Sequence, residues 1–227
     1  MLDFKQFIKE AYAKGGFDYE DHVNNTLQKH SLQPKGQKSA GSSGSDADGT
    51  IHASGKHHNL EIKKDKDAMM GQVELHHDGK KWHVSANAKK NNPATAAHVE
   101  KHFLPHVNKH WGKPSGDYHT DLKMGNVYHT VKGTQPIRDH YGKDRKTPYM
   151  QIGGSGLHHT SSDKGKIGTK PLNGNTQFRA RFKARGTDKA TGKRKYGALV
   201  VLSLKDHQPT HVDLDKHAKD IAKTHKI

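Results

Sequence analysis

The stretch QFRARFKAR, residues 177–185, leaves a folding chain little choice. Phe178, Ala180, Phe182 and Ala184 alternate with Arg179, Arg181, Lys183 and Arg185. Successive side chains of a strand point to opposite faces, so this period of two demands a strand with one face in a core and four cations on the other. A helix would scatter both sets around its circumference. The segment YGALVVLSLK, after the basic turn GTDKATGKRK, is the expected return strand. Like charges crowded on one strand face repel unless a polyanion neutralises them. Arg179, Arg181, Lys183 and Arg185 are therefore candidate phosphate contacts, which the turn residues Lys193, Arg194 and Lys195 extend.

Other elements follow from simpler signals. Phe4, Phe7, Ile8, Ala11 and Tyr12 fall at helical spacing, and Gly15-Gly16 is the expected end of that helix. A second helix is expected from about Asp18, with Val23 and Leu27 on its apolar stripe. Glu20 lies on the same stripe, either as a functional acid or as a charge favoured near a helix start. After the flexible composition of QPKGQKSAGSSGS, two hairpins are expected. One runs from Asp48 to Lys64 with a turn near Ser54-Gly55-Lys56, and the other is QVELHHDGKKWHVSA with Asp78-Gly79 at its turn. Asn92-Pro93 opens a helix whose stripe is Phe103, Leu104, Val107 and Trp111. Residues 113–146 give no periodicity that assigns an element. PYMQIGGSG holds a short strand, and Leu214, Ala218, Ile221 and Ala222 mark a closing helix.

Charge narrows the partners. Lys plus Arg outnumber Asp plus Glu by 39 to 23, a formal charge of +16, which favours a polyanion and above all nucleic acid. A membrane is not expected, since no apolar span or basic amphipathic anchor occurs. The absence of cysteine excludes disulfides and thiolate metal sites. The start MLDFKQFIKEAYAKG has no uninterrupted apolar region of the kind a signal peptide carries, so an intracellular site of action is expected. Only 30% of residues are hydrophobic, below the ~45% usual for globular chains, so the core should be modest.

In NLEIKK, Glu61 and Lys63 project from one face of a strand, roughly 7 Å apart along the backbone, while Leu60 and Ile62 take the other. A solvated ion pair is the simpler reading. The preceding strand opens with Asp48, and the hairpin brings that carboxylate beside Glu61. Two carboxylates and a backbone carbonyl make a hard-oxygen site for Mg²⁺, with Mn²⁺ as an alternative, and a nearby lysine can stabilise hydroxide or phosphate charge.

This set resembles the PD-(D/E)XK nuclease superfamily, in which an Asp opens one strand, an acid-X-Lys triplet lies on the next and a Glu often comes from a preceding helix. Asp48, the triplet Glu61-Ile62-Lys63 and Glu20 take those places in order, and Gln72 in AMMGQ resembles a polar residue that several branches add. The likeness covers roughly residues 16–85, and SDADG lacks a proline before the acid. Asp48 is preferred as the ligand, with Asp46 as its alternative. The resemblance implies an α/β fold: a restriction-endonuclease-like core over 1–112, a mixed sheet flanked by helices, with a β-rich basic extension over 113–227 packed on it. It also implies Mg²⁺-dependent hydrolysis of DNA phosphodiesters, with Asp48 and Glu61 on the metal, Lys63 on the water or developing charge, and Gln72 and Glu20 in support. Double-stranded DNA is the expected partner, and a homodimer would cut both strands. The opening residues are similar to starts found among tailed-phage proteins, which would place a homing or restriction-type enzyme in the host cytoplasm. The alternatives are an RNA-processing nuclease and a non-catalytic DNA-binding or virion protein.

Histidine is abundant, at 21 residues. His98, His102, His106 and His110 recur at a chelating spacing, and GLHHTSSDKGKIGTKPLNGN could form a His/Asn centre. Surface histidines are the reading preferred here, because the doublets His57-His58, His76-His77 and His158-His159 show the residue is common throughout.

Overall fold

In the computed structural model, residues 4–36, 47–187, 191–192 and 194–227 are described, without the side chains of residues 4–14 and of Arg194. The chain runs α1 (Phe4–Lys29), β1 (Gly49–Ala53), β2 (Lys56–Lys63), β3 (Gln72–His77), β4 (Trp82–Val84), α2 (Ala86–Asn91), α3 (Pro93–His102), α4 (Leu104–His110), α5 (Tyr118–Leu122), β5 (Val127–Val131) and α6 (Gln135–Asp139). A π-helical turn (His140–Asp144) follows, then β6 (Tyr149–Ile152), β7 (Gly156–His159), β8 (Lys170–Pro171), β9 (Asn175–Thr187), β10 (Arg194–Lys205) and α7 (Leu214–Thr224). This is a mixed α/β chain with two sheets.

The elements gather into two units, and both are discontinuous in sequence. The first takes Met1–Ala68, Tyr141–Asn173 and His207–Ile227; the second takes Met69–His140 and Gly174–Asp206. A boundary at 112/113, expected from the sequence, falls inside the second unit.

The first unit is built on a mixed sheet in the order β1-β2-β6-β7-β8. The β1–β2 hairpin is antiparallel, with Gly49 opposite Leu60, and β2 then runs parallel to β6, with Glu61 opposite Met150. Leu60 and Ile62 enter a core with Val23 and Leu27 of α1, Ile51, Tyr149 and Leu157 of the sheet, and Leu214 and Ile221 of α7. The expected helix end at Gly15-Gly16 does not occur: α1 is one 26-residue helix running straight through the pair. A helical glycine costs ~1 kcal/mol relative to alanine, and packing of the helix on β1, β2 and α7 outweighs it. Gly15 also leaves room that a side chain would deny, since a Cβ there would stand 2.7 Å from Lys64 Nζ.

The second unit has an all-antiparallel sheet in the order β4-β3-β10-β9-β5. Phe178, Ala180 and Phe182 of β9 are buried as their alternation demands, and Phe178 stacks on Phe103 while Phe182 stacks on Trp111. Phe103, Val107 and Trp111 are buried, but the expected single helix breaks at Phe103, the junction of α3 and α4, because Pro105 sits in the first turn of a new helix. Residues 113–146 form short pieces, α5, β5, α6 and the π-helical turn, that are too brief to show a period. Among the described residues no helix is long and apolar enough to cross a membrane.

Candidate active site

The hairpin register of β1 and β2 sets Asp48, just before β1, against the C-terminal end of β2. Its Oδ2 accepts a hydrogen bond from the Ile62 backbone N–H at 2.9 Å. The peptide of Asp48 is held from the other side, where Asn24 Nδ2 of α1 donates to its carbonyl at 3.1 Å. This approach requires glycine at 49, because a Cβ there would collide with Asn24 Oδ1. Asp48 and Glu61 are both buried, at 7% and 5% exposure, which is rare for carboxylates without a compensating partner.

Lys63 supplies part of that compensation. Its Nζ donates to Glu61 Oε1 in a close ion pair with little solvent access. Glu61 Oε2 remains buried with no hydrogen-bond partner among the described residues. Burial pushes the Asp48 carboxyl up to about 7, and the Glu61 charge adds to this; Lys63 and the Ile62 N–H pull the other way, and Glu20 of α1 is near enough to push upward again. Burial pulls Lys63 downward, but Tyr141, Glu61 and Asp48 outweigh it and hold the ammonium well above its ordinary range. Tyr141, buried in the π-helical turn, lies with its ring centroid 5.8 Å from Lys63 Nζ. Its own hydroxyl is pushed up by burial and then by Glu61.

Asp48, Glu61, Lys63 and Glu20 thus come together in the first unit. Gln72 does not belong to that unit: it opens β3 in the second, exposed and paired with Val201. Asp46 lies outside the described residues. Two residues had no signal in the spacing, Tyr141 and Asn24, although Asn24 follows Glu20 by one helical turn and shares its face.

The donor set fits a hard divalent cation in part. Two mutually repelling carboxylates and one orphaned carboxylate oxygen are what such an ion would relieve. No group of three or more His, Asp or Glu is arranged for a metal among the described residues, so Asp48 and Glu61 would need water or backbone oxygens to complete the shell.

The basic strand divides in two. Arg185 pairs with Glu74 of β3 at 2.6 Å, whereas the Nε atoms of Arg179 and Arg181 are buried without a hydrogen-bond partner among the described residues. Lys183 and Lys195 are exposed; Lys193 and the Arg194 side chain lie outside the described set. The histidine stripe is engaged otherwise than in chelation: His98 Nε2 meets Asp139 Oδ2 at 2.8 Å, and His110 Nδ1 meets the His106 carbonyl at 2.8 Å. His158 is fully buried beside His207, with ring centroids 4.8 Å apart.

No family model, curated protein or solved structure matches the chain.

Proposed function

We propose that the chain is a divalent-cation-dependent nuclease of the PD-(D/E)XK type, with a restriction-endonuclease-like core in the first unit. The observation that carries this reading is the buried corner where Asp48, Glu61 and Lys63 meet with one carboxylate oxygen left unpartnered. Asp48 and Glu61 would hold Mg²⁺ or Mn²⁺, which when bound supplies Lewis-acid charge at a phosphoryl oxygen and a more acidic water. Lys63, kept charged by its neighbours, stabilises the negative charge that grows on the phosphate in the transition state. Tyr141 and Glu61 fix the ammonium's position, and Glu20 adds negative potential from α1. Net charge supports a nucleic-acid substrate. DNA is the form proposed, and cutting both strands of a duplex would call for two copies of the site.

The closed Lys63–Glu61 pair favours a second reading, in which the residues are a structural ion pair and the protein binds DNA without cutting it. Plasmid nicking and linearisation with Mg²⁺ or EDTA decides between them. Glu61→Gln is the better variant, because Glu61→Ala strands a buried ammonium, a change that costs about 3–5 kcal/mol of stability by itself. Metal-dependent cleavage that falls by at least ~10²-fold in Glu61→Gln and Lys63→Met supports the nuclease. DNA binding with no cleavage under any metal leaves the binding protein.

A further inference from the structure

The face of the second unit's sheet that bears Arg179 and Arg181 also bears an exposed aromatic ring. Tyr128 of β5 lies directly opposite Arg179 in the antiparallel register, and Thr130 lies opposite Gln177. On the other side of β9, Val201 and Leu199 of β10 stand opposite Arg179 and Arg181. Residues opposite one another in a ladder share a face, so this patch has an apolar floor, Leu199 and Val201, both nearly inaccessible. At its edge Tyr128 is 51% exposed, one of the few large apolar side chains left to solvent among the described residues. Its hydroxyl accepts from Asn126 Nδ2 at 3.2 Å, which steadies the ring without covering its face.

The two arginines lack an ion pair among the described residues, in contrast to Arg185. Two guanidiniums two residues apart on one strand face repel each other; burial and then Arg179 pull Arg181 below its ordinary range. An anion with regularly spaced charges would relieve both. A neighbouring exposed ring adds something phosphate recognition does not need: a surface for a planar, unpaired base. Bases of an intact duplex offer no free π-face, whereas those of a single strand do, and stacking tolerates any sequence.

We propose that this sheet face binds single-stranded nucleic acid, with Arg179, Arg181 and Lys183 on successive phosphates and Tyr128 stacked on a base. The proposal rests on the nucleic-acid part of the reading above and not on hydrolysis. It is tested in EDTA by fluorescence anisotropy with a labelled oligothymidine of about 16 nucleotides, a duplex of equal length, and inorganic polyphosphate as competitor. Tyr128→Leu is expected to weaken the oligothymidine about 5- to 100-fold and leave duplex and polyphosphate unchanged, and Tyr128→Phe is expected to restore binding. Arg179→Ala should weaken all three and lower the salt slope by about one. Equal affinity of wild type and Tyr128→Leu for the oligothymidine overturns the proposal, as does equal loss on the duplex or failure of the wild type to bind. Plasmid cleavage by the same preparation in Mg²⁺ reports on Asp48 and Glu61 separately, so the two readings stand or fall apart.

Discussion

Asp48 and His158 are two buried titrating residues of the first unit whose effects on stability run in opposite directions. The Asp48 carboxyl, raised to about 7 from 3.8, favours the folded state while protonated. Its contribution is complete below about pH 4 and is lost as pH rises through 7. His158 is lowered to about 4 from 6.5 by burial and then by His207, so its contribution is complete above about pH 6.5 and is lost as pH falls through 4. The shifts correspond to about 4 kcal/mol for Asp48 and about 3 kcal/mol for His158, and between about pH 4 and 6.5 the slopes nearly cancel. Single substitutions should uncover them. Asp48→Asn is expected to raise the melting temperature of metal-free protein at pH 8 and leave it unchanged at pH 4. His158→Phe is expected to remove the acid-side loss. Thermal scans across pH check both, and a Mg²⁺-induced rise in Tm at pH 8 that Asp48→Asn abolishes would tie the same carboxylate to the ion.

At the scale of elements, the β1–β2 hairpin and α1 act as one device for aiming Asp48. Gly49→Ala should drive Asn24 off the Asp48 carbonyl, because the new methyl would clash with Asn24 Oδ1. The expected result is loss of the proposed Mg²⁺-dependent cleavage with a stability change of about 1–3 kcal/mol, read by cleavage assay and urea denaturation. In the second unit, Trp111→Ala should cost about 3–5 kcal/mol, since its ring joins Trp82 and Phe182 in one cluster. These elements differ in how plainly the sequence announces them. The hairpins were legible because turn glycines and alternation are local signals, and β9 because its alternation is strict. The unbroken α1 was not, because two glycines locally imitate a helix end while the packing that carries the helix through them is distant. Helices of five residues, such as α5 and α6, are shorter than the period that would reveal them. Asp48, Glu61 and Lys63 could be grouped from spacing within one hairpin. Tyr141 could not, since it reaches Lys63 from 78 residues further along the chain. The placement of Gln72 in another unit was equally hidden, for the chain leaves the first unit after Ala68.

For the whole molecule, the number of phosphates that its excess of cations, a formal +16, can neutralise would set how the proposed binding responds to salt. Three phosphate contacts from Arg179, Arg181 and Lys183 would give a slope of log K against log salt of about −2 on a single strand and about −3 on a duplex. A titration series in NaCl is expected to yield at least that slope, and any excess counts the cations outside β9 that also engage. A different consequence follows from the way the first unit is assembled. Its core joins Val23 and Leu27 to Leu214 and Ile221, residues almost two hundred positions apart. During synthesis, the carboxylates at 48 and 61 leave the ribosome well before α7, the helix that closes the core beneath Leu60 and Ile62. The second unit, drawn from residues 69–140 and 174–206, is complete before that helix is made. A nascent chain of this protein would therefore complete its basic sheet before it gains the helix on which the first unit's core depends, so the hairpin that carries Asp48 and Glu61 waits on a later segment for its support.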